Sequence, residues 1–315
     1  MNSKNRIQWL LSGDISIRYQ VYRDLLLTER DDLRKRIASE GWAAQFLSKR
    51  KPDGNWGQKF YQPKWTSTHY TLIDLRSLCM APDNSLIRES IAIILKNEKA
   101  NDGGILPTGA KQLSDQCING MFLNYASYFK TNEKELKSVV DCMLTQIMPD
   151  GGFNCRLNRS GARHSSLHTT LSVLEGLTEY VNNGYKYRLD EVQKAIRLSQ
   201  EFILLHQLYK SDRTGKIINK DFLQLSYPRR WRYDILSALD YFQSAKLPWD
   251  KRMQPAIEVL LQKRNKDGTW NVQAKHPGRT HFDMEKAGKR SRWNTLRALR
   301  VLKHFGIEEP QFSFV

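Results

Sequence analysis

The chain has 315 residues, 40% hydrophobic and 10% aromatic, with 18 Gly and 10 Pro, a globular composition that excludes a disordered, collagen-like or disulfide-scaffold protein. Fifty Lys and Arg against 33 Asp and Glu give a net charge of +17, which permits anionic partners, yet the basic residues are scattered and no block marks a nucleic-acid binder, so no nucleic-acid partner is expected. No apolar run nears the roughly 20 residues that span a bilayer, and four cysteines behind a start without secretory-signal features predict a cytoplasmic protein.

In chain order the apolar spacing predicts helices that alternate between two sets. Residues 3–11 supply one member of an outer set, and 15–27 form the first inner helix. The outer helix 32–49 follows and leads to the turn DGNWG at Asp53. An inner helix over 66–80 and an outer one over 84–98 lead to DGGIL at Asp102, 49 residues on. The pair 114–129 and 132–147 leads to DGGFN at Asp150, 48 residues further. After the pair 166–182 and 189–209 comes a degraded copy, SDRTG around Asp212. The pair 229–243 and 250–264 then leads to DGTWN at Asp267 and a last inner helix over 291–306. No run reads as a clear strand. Ser and Asp at the helix starts read as N-caps, and each Asp-Gly reads as a structural turn in which Gly accepts positive φ. The reading is therefore all-α: a single α/α-toroid domain over 1–315, with about six inner and six outer helices from tandem hairpins.

The Asp-Gly-Gly-Phe and Asp-Gly-Asn-Trp turns between alternating helices resemble the repeats of protein prenyltransferase β-subunits and squalene cyclases. The likeness runs from Trp9-Leu10-Leu11 to Arg292-Trp293-Asn294. It is nearest to bacterial prenyltransferase or squalene-oxidase repeat proteins. The D-x-D-D acid motif of squalene cyclases is absent, since Asp31-Asp32 lies on an outer helix and Asp283-Met284-Glu285 lacks the pattern.

His69, Cys117, His168, Arg232 and Trp293 fall near the starts of inner helices, which a closed ring gathers at one end of a central cavity. Cys117, Cys155 and His168 offer two thiolates and an imidazole suited to zinc with an open position. Asp115-x-Cys117 resembles the Asp-x-Cys zinc ligands of prenyltransferases, with His168 as the later His, and the two-Cys-one-His set resembles lanthionine-forming cyclases. Asp115 either ligates or caps its helix. Cys79 and Cys142 read as core residues. Arg18, Tyr19, Trp231, Arg232, Arg292 and Trp293 form an aromatic and basic set fit to hold an anionic, partly apolar substrate. His69, Tyr233 and Asp234 are candidate proton-transfer groups. The preferred expectation is an enzyme binding Zn2+ that transfers an alkyl or prenyl group to a thiol, or hydrolyses its substrate, on a small molecule or peptide. The alternatives are a metal-independent isoprenoid cyclase or lyase and a non-catalytic binding scaffold. The sequence names no protein partner.

Overall fold

The computed structural model describes residues 3–106, 113–155 and 160–307. The inner set is α2 (Ile15–Gln20, continued as a π-turn through Leu25), α5 (Thr68–Ser77), α7 (Gln116–Tyr128), α9 (Leu167–Asn182), α11 (Ile235–Ser244) and α13 (Arg292–His304). The outer set is α1 (Ser3–Leu11), α3 (Asp31–Arg36) with α4 (Gly41–Leu47), α6 (Ser85–Asn97), α8 (Glu133–Leu144), α10 (Leu189–Leu205) and α12 (Gln254–Gln262). The expected hairpin order holds throughout.

The Asp-Gly turn is one device used four times. Asp53 Oδ1 accepts from Asn55 N–H at 2.9 Å, Asp102 Oδ1 from Gly104 N–H at 3.1 Å and Asp267 Oδ1 from Thr269 N–H at 3.1 Å. Asp102 and Asp150 also accept from the N–H and hydroxyl of Ser114 and Ser165, which lead the next inner helices. Gly54, Gly103, Gly151 and Gly268 all have φ between 81° and 89°, where a Cβ is strained. Three residues after each Asp stands a fully buried apolar side chain: Trp56, Ile105, Phe153 or Trp270. Its N–H is held by a polar side chain in the first turn of the next inner helix. The acceptors are Thr68, Asn119, Thr170 and Thr295, at 2.7–3.0 Å. Each repeat thus wedges an apolar residue between two helices and pairs that residue's buried amide.

Neighbouring inner helices lock around a closed ring. Gln20 of α2 donates to Ser77 O at 3.2 Å. Gly120 of α7 and Gly176 of α9 bring two backbones together, for a Cβ on Gly176 would lie 2.3 Å from Gly120 O. Thr178 and Tyr241 hydroxyls pair at 2.9 Å between α9 and α11. Arg297 and Arg300 of α13 bind Asp240 of α11 at 2.8 and 2.5 Å. Arg300 also reaches Asp24 at 3.1 Å, and Arg292 donates to Trp9 O at 2.9 Å. The last hairpin is thereby sealed to the first, and the fold is the all-α toroid expected.

Three local departures have physical causes. The outer helix expected over 32–49 is broken, because Asp14 accepts from Trp42 N–H at 2.8 Å and Gly41 passes that carboxylate with φ +67°. The fifth inner helix begins at Ile235, not near 229, because residues 226–233 cross the ring. A two-residue antiparallel pair, Trp270–Asn271 with Arg290–Ser291, braces the last turn. Among the described residues no helix is long and apolar enough to cross a membrane.

Candidate functional site

The central cavity has a volume of about 410 Å³. Its walls come from the C-terminal halves of the inner helices, and its floor includes Tyr227, Pro228, Arg229 and Arg230. Arg230 is buried with φ +61°, a left-handed backbone that a non-glycine residue holds only when its surroundings impose it. The long loop between the two short strands packs against Trp65 and the first turn of α5. Its Pro277 carbonyl accepts from Trp65 Nε1 at 2.6 Å, and His281 bonds Thr71 at 3.1 Å. Apart from Trp293 at the start of α13, the helix-start residues singled out from sequence are not on the lining, which corrects the expectation that the cavity would be lined from that end.

Six guanidinium and five carboxylate side chains line the cavity. Arg230 pairs with Asp74 at 2.6 Å, Arg76 with Glu179 and Arg229 with Glu175. Arg297 and Arg300 share Asp240, while Arg23 and Arg300 share Asp24. Formal charge on the lining is thus positive by one. Burial pushes the Asp240 carboxyl up, but Arg300 and Arg297 together hold it at about 2, so it is ionised. At Asp74 burial outweighs Arg230 and the carboxyl is raised. The two carboxylates thus sit in opposing electrostatic environments within one cavity. Cys79 also lines the wall, with φ +60°, and Arg23 donates to its sulfur at 3.4 Å. Cys79 belongs to the buried core, as expected from sequence, whereas Asp74, Arg76, Glu175, Asp240, Arg297 and Arg300 were not singled out there. The available signal was charged residues inside otherwise apolar inner-helix patterns, at i,i+3 (Arg297, Arg300) and i,i+4 (Glu175, Glu179).

Of the residues singled out from sequence, Trp293 lines the cavity, stacked on Tyr227 with centroids 4.9 Å apart. The others lie elsewhere. Arg292 stacks on Trp9 and binds its carbonyl, so it is a ring-closing residue. Tyr19 is buried beneath Arg23 and Arg34, and neither it nor Arg18 is on the lining. Tyr233 is buried and donates its hydroxyl to Leu208 O at 2.6 Å. Asp234 is the N-cap of α11, accepting from Ser237 N–H at 2.8 Å and from its hydroxyl at 2.9 Å. His69 is fully buried among Phe60, Tyr61, Tyr70 and Tyr125, with Nδ1 3.3 Å from the Tyr125 hydroxyl. Burial drives its imidazole down to about 3, so the buried ring is neutral.

Trp231, Arg232 and His168 cluster outside the cavity. Arg232 stacks on Trp231, whose ring lies 5.2 Å from His168. The Cys117 N–H donates to Cys155 Sγ at 3.1 Å, so the two cysteines do meet. His168, however, spends Nδ1 on the Tyr233 N–H at 2.8 Å and packs among Phe222, Trp231 and Tyr233. Burial, then Arg232, lowers it to about 4. Asp115 is a buried N-cap residue of α7. Among the described residues no three His, Cys, Asp or Glu side chains come together to hold a metal. Asp115, Cys117, Cys155 and His168 as placed do not fit the expected zinc set, and no chemical step is routed through it.

No family model matches the sequence, and no curated protein matches it. A polysaccharide lyase is similar in backbone over 96% of this chain and 97% of its own, at 12% identity and TM-score 0.48. A glycosyl hydrolase of family 88 from Bacteroides vulgatus is similar over 92% and 89%, at 11% identity and TM-score 0.47. A type II terpene cyclase from Scytonema is similar over 82% and 94%, at 12% identity and TM-score 0.34. These are likenesses of chain path, and neither a reaction nor a substrate follows from them.

Proposed function

We propose that the protein is an enzyme whose central cavity binds a small polar molecule carrying an anionic group, with Asp74 as the proton-exchanging group beside it. The observation that carries this reading is the convergence of six guanidiniums, from three inner helices and the floor, on one cavity of about 410 Å³. Arg forks match carboxylate and phosphate oxygens, and the carboxylates between them suit the hydroxyls of the same ligand. The raised Asp74 and the ionised Asp240 favour hydrolysis or elimination over transfer to a metal-bound thiol. A wholly hydrocarbon substrate suits this lining least, because it would strip water from eleven charged groups without replacing a hydrogen bond. A scaffold role would call for a filled centre, and the centre is hollow.

The test uses thermal unfolding with inorganic phosphate, glucuronate, geranyl diphosphate and neutral glucose as probes, together with alkylation of Cys79 by iodoacetamide. The expected result is a rise in Tm with at least one anionic probe, weakened by salt, absent in Arg229→Gln, and accompanied by slower Cys79 labelling. Binding saturated at about 100 times Kd is worth roughly 2.7 kcal/mol. If glucose alone stabilises the protein, or no probe slows Cys79 labelling, the reading fails.

A further inference from the structure

We propose that Cys117 and Cys155 form a reversible disulfide, with Cys155 as the attacking thiol and Cys117 as the resolving one. Neither residue lines the central cavity, so this inference stands apart from the proposed function. Cys117 is the second residue of α7, and its N–H donates to Cys155 Sγ at 3.1 Å. Thr169, in the first turn of α9, donates its hydroxyl to the same sulfur at 3.4 Å and accepts the Cys155 N–H at 3.3 Å. Two donors from two helices therefore fix the Cys155 sulfur directly against Cys117, and both residues are partly exposed. The contact with the Cys117 thiol, then the Thr169 hydroxyl and the Cys117 N–H, hold the Cys155 thiol below its ordinary value against burial. A thiol at a helix N-terminus with a second thiol in contact is the arrangement that exchanges with disulfides.

The remaining cysteines are placed differently. Cys142 is buried, and burial pushes its thiol up. Cys79 is buried at the cavity wall. The oxidant is a low-molecular-weight disulfide. The Cys155 thiolate attacks one of its sulfurs, the S–S bond breaks and one small thiolate leaves. Cys117, losing its proton, then attacks Cys155 Sγ and expels the second small thiolate. Two protein thiols are oxidised and one disulfide is reduced to two thiols, with both protons passing to the leaving groups.

The experiment incubates the folded full-length chain with oxidised glutathione, alkylates the remaining thiols and maps the peptides by mass. The expected result is a fall from four titratable thiols to two, loss of two hydrogens from the chain, and one linked peptide pair containing Cys117 and Cys155. Dithiothreitol should restore all four thiols. Cys117→Ser should accumulate a glutathione adduct on Cys155, whereas Cys155→Ser should leave Cys117 unmodified. The wild-type map needs no variant to fold. Four thiols remaining, a link through Cys79 or Cys142, or an adduct on Cys117 in Cys155→Ser would each overturn the proposal.

Discussion

Asp74 shows how a single buried carboxylate is tied to the chemistry of the cavity. It holds Arg230 at 2.6 Å in a nearly water-free position. Asp74→Asn leaves that guanidinium buried and unpaired, at a cost of about 3–5 kcal/mol. Phosphate should recover part of this loss, so the phosphate-induced rise in Tm should be larger in Asp74→Asn than in wild type. Equal rises would mean that anions do not reach Arg230. His69 gives a prediction about pH. Unfolded, its imidazole takes up a proton below about 6.5, whereas folded it refuses one until about 3. The unfolded chain therefore binds more protons in that window, and His69 makes stability fall as pH drops. The raised carboxyls of Asp74 and Asp234 act in the opposite sense, so the effect is read as a difference. His69→Phe should lose less stability than wild type between pH 6.5 and 4, by on the order of 3 kcal/mol. Parallel Tm curves for the two proteins would rule the effect out.

The element scale is governed by the turn that joins hairpins. Thr170 accepts from the Phe153 N–H at 3.0 Å in a buried position. Thr170→Val keeps the shape and removes the acceptor, which should cost about 1–3 kcal/mol in denaturant unfolding. The helix pair α7–α9 is more demanding, because Gly120 and Gly176 face each other across it. Gly176→Ala drives a Cβ to 2.3 Å from Gly120 O and should cost about 1–3 kcal/mol, or more if the helices cannot part. An unchanged midpoint would show that the two helices slide freely. These elements were legible in the sequence because Asp, Gly and the buried residue recur at fixed offsets, and because inner and outer helices share a 3.6-residue apolar period. The site was far less legible. Helix starts can be read from caps, but the loop carrying Pro277 and His281 packs against Trp65 and the first turn of α5, a path that follows from no local pattern. Cys117 and Cys155 did come together as expected, while His168 turned to the Tyr233 amide, a choice set by packing around Trp231 that no spacing encodes.

The molecule as a whole is held by the seam between its last and first hairpins. Asp240, Arg297, Arg300 and Asp24 join α11, α13 and the end of α2 in one charged network. Asp240, held at about 2 against 3.8 in an unfolded chain, contributes on the order of 2 kcal/mol. That contribution is complete above about pH 3.8 and is lost as pH falls toward 2. Asp240→Asn should lower stability at neutral pH by about 3–5 kcal/mol, and should flatten the acid limb of the stability curve in circular dichroism melts. An acid limb identical to wild type would show that the network does not hold the seam.

The hydrogen bond from Arg292 to Trp9 joins residues 283 positions apart, and this has a consequence for the chain as it leaves the ribosome. Until the final helix emerges, Asp240 lacks Arg297 and Arg300 and Asp24 has only Arg23, and the nascent protein is an unsealed arc exposing apolar flanks. Contacts of such high sequence separation form late and slowly, so the cavity acquires its full set of arginines only in the closing moments of folding.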